Sequence, residues 1–81
     1  MTYSILYEKI TDSAFPSGYY YATIPALDLT THGLGLEGAR EAAFDLVHLW
    51  IEEKRAQGEV VPIENESFFS RIEIDDAIFS A

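Results

Sequence analysis

The chain has 81 residues and a mass of 9.1 kDa, enough for one domain, which burial scaling leaves with a thin core. Fourteen Asp plus Glu against five Lys plus Arg give a net charge of −9, which argues against gripping a phosphate backbone and favours basic partners. Cysteine is absent, which removes disulfides, thiolate zinc sites and thiol catalysis, while 48% hydrophobic residues are too many for a disordered tail.

Tyr3 to Ile10 reads as a strand, because Tyr3, Ile5 and Tyr7 alternate with Ser4, Leu6 and Glu8. Thr11 to Ser17 is a polar loop closed by Pro16, Ser17 and Gly18. Tyr19 to Ile24 (YYYATI) is a second strand, dense in aromatic and β-branched residues, and pairs with the first as an antiparallel hairpin. Pro25 ends that strand, and Leu27 to His32 supplies a brief third one. From Leu36 the period becomes helical: Leu36, Ala39, Ala43, Leu46, Val47 and Trp50 share one face. Glu37, Arg40, Glu41, Asp45, His48, Glu52 and Glu53 take the other. Gly58 stops the helix and Pro62 prevents its resumption. Phe68 to Ile74 (FFSRIEI) alternates again and is expected as the last strand, with Ala77 to Phe79 as a short helical turn. The expected class is α+β, a two-layer β-β-β-α-β sandwich with one long helix on a mainly antiparallel sheet.

Several segments together resemble a known family. Gly18 to Leu27 (GYYYATIPAL) is similar to the G-Y-x-A-x-x-P-x-L signature of HicB-like antitoxins. Gly33 followed by Leu36-Glu37-Gly38-Ala39 resembles the family's glycine and T-x-E-E-A helix start. Leu49-Trp50-Ile51-Glu52-Glu53, Gly58 and Pro62 resemble its L-W-L-E-E…G…P ending, so the likeness runs from Tyr3 to about Ile74. It implies a degraded RNase H-like fold and a single HicB-like domain over 1–81. It also implies a non-catalytic role: binding and masking a small, basic, mRNA-cleaving toxin of the HicA type. Gly35 stands where the family has a Thr or Ser cap. Only seven residues follow Ile74 and none is basic, so the family's promoter-binding module is not expected here, nor is direct nucleic-acid binding.

Asp45, His48 and Glu52 share one helix face and have ligand chemistry, but a solvated polar face is the stronger reading. A retained nuclease would need clustered carboxylates, and Glu8, Glu37, Glu41 and Asp45 are not spaced to converge. His32 is expected as a loop histidine without a nucleophile beside it, and Gly33-Leu34-Gly35 as a turn rather than a phosphate cradle. The run Tyr19-Tyr20-Tyr21 should divide between core and interface, since neighbours in a strand face opposite sides. No catalytic, cofactor or metal residue is assigned.

A second helix stripe, Phe44, His48, Ile51 and Arg55, lies beside the core face and is the expected partner-binding surface. Glu64 and Glu66 join it from the acidic segment Glu59 to Asp76, which holds six acids and one base. The alternative is an orphan self-associating domain with a regulatory or ligand-binding role and no toxin partner. A homodimer or homotetramer is expected in either case, because the thin core leaves apolar surface to cover. Met1-Thr2-Tyr3-Ser4 has no export-signal pattern and no apolar run reaches membrane length, so a cytoplasmic location without membrane contact is expected.

Overall fold

The computed structural model describes residues 1–76. Three strands form one antiparallel sheet in the order β1-β2-β3. They are β1 (Leu6–Lys9), β2 (Tyr19–Ile24) and β3 (Leu29–Leu34). β1 pairs with β2 from Leu6↔Thr23 to Lys9↔Tyr20, and β2 pairs with β3 from Tyr19↔Leu34 to Ile24↔Leu29. The helix α1 (Gly35–Ala56) follows β3 directly and packs over β2 and β3, leaving β1 to one side. A three-stranded sheet carrying one long helix is the expected α+β arrangement.

The core is small and built from small residues. Ala22 and Ile24 of β2, Leu27, and Ala39 and Ala43 of α1 are the buried cluster, with Tyr20, Leu29, Val47 and Trp50 packed around it. Alanines on the helix let it lie close to the sheet, and Gly33 sets the distance. A Cβ built at Gly33 would come within 2.4 Å of the Gly38 carbonyl and 2.5 Å of the Ala39 nitrogen. The helix rests on bare backbone there.

The ends of α1 follow the expected chemistry. Glu37 lies in the first turn and Lys54 and Arg55 in the last, complementing the helix dipole. Gly58 takes a left-handed φ of 72°, its N–H bonding to Arg55 O at 3.0 Å while Glu59 N–H reaches Lys54 O at 2.9 Å. That pair of bonds is the Schellman arrangement, and a glycine at this position carries no Cβ strain. Gly35 is itself the first helical residue, with Leu34 as a cap that makes no side-chain bond.

Four expectations need correction. The first strand, expected over Tyr3 to Ile10, is only Leu6–Lys9, because the ladder with β2 opens at Leu6↔Thr23. The third strand begins at Leu29, not Leu27, because Pro25–Leu27 close a 3-10 turn that buries Leu27, with Asp28 left-handed at φ 53°. The strand then runs on to Leu34, so His32 belongs to β3 and not to a loop. The last strand expected over Phe68 to Ile74 does not form: residues 59–75 carry no helix or strand. Alternation marks two faces of an extended segment, but a strand exists only where an edge pairs with it. The helical turn expected at Ala77 to Phe79 lies outside the described residues.

The segment after Glu64 leaves the body of the domain. Phe68, Phe69 and Ile72 keep 87%, 76% and 82% of their surface in solvent. A compact domain of this length has a radius of gyration of roughly 12 Å. The observed value is 16.4 Å, with extents of 56 × 32 × 19 Å.

Candidate functional site

Because α1 packs chiefly over β2 and β3, its flank and the N-terminal run into β1 border an open groove of about 410 Å³. Tyr3 and Ile5 form one wall, and Ala43, Phe44, Val47 and Ile51 form the other. Arg40 and His48 also line it. Phe44 stays 68% exposed and stacks on His48, ring centroids 6.0 Å apart and planes 18° from parallel. The groove offers methyl, methylene and aromatic surface with one imidazole and one guanidinium. Such a lining suits apolar side chains of another polypeptide better than an ion.

The expected partner-binding residues do not all meet. Phe44, His48 and Ile51 share the groove. Arg55 is exposed one turn further along α1, and Glu66 is exposed on the departing segment. Glu64 is tied elsewhere: Ser4 N–H donates to its Oε1 and Ser4 Oγ–H to its Oε2, both at 2.7 Å. Beside this clamp the Tyr3 hydroxyl donates to the Pro62 carbonyl. The sequence reading missed Tyr3 and Ile5 as groove residues, although their alternation already placed them on one face.

The backbone N–H of Ser4, and secondarily its hydroxyl, hold the Glu64 carboxyl below the ordinary carboxylate pKa. A lowered folded pKa means that the clamp contributes fully above the unfolded pKa and is lost as pH falls through the folded value. Glu64→Gln should therefore lower the melting temperature at pH 7, where the clamp is fully formed, and change it less at pH 3, so that the acid limb flattens. Melting curves at pH 7 and pH 3 check this, and an unchanged acid limb refutes it.

His48 Nδ1 lies 3.8 Å from Glu52 Oε1 on the solvent side of α1, and among the described residues no three His, Asp or Glu side chains gather as a metal site. On the sheet face away from α1, Phe15 packs edge-on against His32 at 5.2 Å and against Tyr21 at 6.0 Å. Tyr19 completes that cluster at 6.2 Å from Phe15, while Tyr20 points to the core, dividing the tyrosine run as strand alternation requires. Nothing in the sequence singled out Phe15, an aromatic residue inside a polar loop.

These features define a class: a small α+β domain with an acidic surface and an open apolar groove between helix and sheet edge. Set against protein-family models, curated proteins and solved structures, the chain matches none of them. Among the described residues no helix is long and apolar enough to cross a membrane.

Proposed function

We propose that this chain is a non-catalytic, antitoxin-like domain of the cytoplasm. It binds and masks a small basic mRNA-cleaving toxin of the HicA type. The observation that carries the reading is the groove: an exposed aromatic and aliphatic surface on a chain of net charge −9. The resemblance to HicB-like antitoxins over Tyr3 to Ile74 supports the same reading. Long-range attraction comes from the acids of Glu59 to Asp76 and of the outer face of α1. Phe44 and Ile51 then supply desolvated anchors that hold the complex.

The two contributions separate kinetically. Raising salt from 0.05 to 0.5 M should slow association with a HicA-type toxin by about tenfold, because screening shortens the Debye length. Phe44→Ala and Ile51→Ala should each speed dissociation by roughly 30-fold, as loss of a central anchor typically does. Surface-plasmon kinetics measure both, with inhibition of mRNA cleavage as the functional readout. Rates indifferent to salt and to both substitutions reject the reading.

A further inference from the structure

We propose that the segment Phe68 to Ile74 is an exchanged strand, which adds to the open edge of β1 in a second copy of this chain and fills that copy's groove. Ile10 N–H bonds to Tyr19 O, so by antiparallel alternation Leu6 and Glu8 direct their peptide groups at β2. Tyr7 and Lys9 direct theirs outward, where among the described residues no strand pairs. An unpaired edge of this kind is a template for strand addition.

The departing segment is made to fit such an edge. Phe68, Ile72 and Ile74 lie on one face with Ser70, while Phe69, Arg71 and Glu73 lie on the other. Phe68, Ile72 and Ile74 remain 87%, 82% and 52% exposed. A strand added at β1 would lie beside the flank that α1 leaves uncovered, and its apolar face would meet Ile5, Phe44, Val47 and Ile51.

The chain's own β1 is poorly placed to take it. The Glu64–Ser4 clamp sets an offset of 60 residues. Continued in parallel from that clamp, Phe68 and Phe69 fall beside Glu8 and Lys9, where β1 ends. Ile72 and Ile74 would then run past the edge with nothing to pair with. Only Asn65, Glu66 and Ser67 lie between clamp and strand, too few to loop back and reset the register. A second copy imposes no such offset, and reciprocal exchange closes with two-fold symmetry.

The area is adequate. Covering Phe68, Ile72 and Ile74 removes on the order of 400 Å² from water per arm, by the usual size of such side chains. Two arms and two grooves together approach about 1,600 Å², the size of a standard stable interface. Two chains of net charge −9 repel, so salt should tighten this association, opposite to its effect on a basic partner.

Light scattering and sedimentation of the full chain should give twice the 9.1 kDa chain mass at ~50 μM, in the range where interfaces of this size hold. Phe68→Asn with Ile72→Asn should raise the dimer dissociation constant about 1,000-fold, since each change enters the symmetric dimer twice. Far-UV circular dichroism should keep the full helical signal of α1, because these side chains pack on nothing in their own body, and lose only the β signal of the exchanged strand. Phe44→Asn, on the groove side, should act in the same direction. In a 1:1 mixture of labelled and unlabelled chains, isotope-filtered NOEs should join Phe68 and Ile72 of one copy to Ile5 and Val47 of the other. A monomer at this concentration overturns the proposal, as do a dimer indifferent to all three substitutions and NOEs confined within one chain. An arm that orders only on a basic protein overturns it too.

Discussion

Gly33→Ala is expected to cost about 3 kcal/mol, a large share of the roughly 4–12 kcal/mol available to a chain of this length. The new Cβ would sit 2.4 Å from Gly38 C and O and 2.5 Å from Ala39 N, all backbone atoms that no rotamer change can move. Relief requires the start of α1 to lift by about 1 Å to regain normal contact. Lifting the helix opens a gap around Ala39 and Ala43, both 0% exposed, in a core with few large side chains to fill it. Gly38→Ala is the matched control. Its Cβ would meet Gly33 C at 3.6 Å and Leu34 Cβ at 3.8 Å, ordinary contacts, and alanine suits a helix better than glycine by about 0.5–1 kcal/mol. Urea unfolding should therefore move in opposite directions for two glycines that face each other. Equal effects would mean that the helix is free to shift, and that Gly33 does not set its distance from the sheet.

That contrast bears on what the sequence made legible. The helix was readable because Ala39, Ala43, Val47 and Trp50 repeat at helical spacing over about three turns, too long for any competing period. β2 was readable to the residue, since YYYATI lies between Gly18 and Pro25. β3 was displaced by two residues because turn chemistry decided its start: the Pro25–Leu27 turn consumed Leu27, which alternation alone had placed in the strand. The stripe Phe44, His48 and Ile51 was legible as surplus apolar surface, and the structure gathers all three in one groove. Arg55 and Glu64 were grouped with it by stripe and charge, and neither lines it. The strand at Phe68 to Ile74 was legible as a pattern and failed as an element. Pattern is a property of the segment, whereas a ladder is a property of two edges. One chain supplies the segment and, through the Glu64–Ser4 clamp, the wrong register for it.

Substitutions in the arm and in the groove should separate self-association from toxin binding. On the two proposals both occupants use Phe44 and Ile51, so an arm and a toxin would compete for one groove. Phe44→Asn should weaken both associations. Phe68→Asn with Ile72→Asn should dissolve the dimer while leaving the groove intact and the net charge at −9. At a concentration where nine-tenths of grooves hold an arm, freeing them should tighten the apparent toxin affinity about tenfold, by the fraction of competent sites alone. Salt supplies an independent axis, since it should tighten the pairing of like-charged copies and loosen the grip on a basic partner. Titrating toxin into wild type and into the arm variant, at 0.05 and 0.5 M salt with mass and affinity read together, tests the scheme. If the arm variant instead loses toxin binding, the strand Phe68 to Ile74 itself contacts the toxin, and the groove is not its seat. If the arm variant keeps the wild-type toxin affinity while the dimer dissolves, the two occupants use different surfaces.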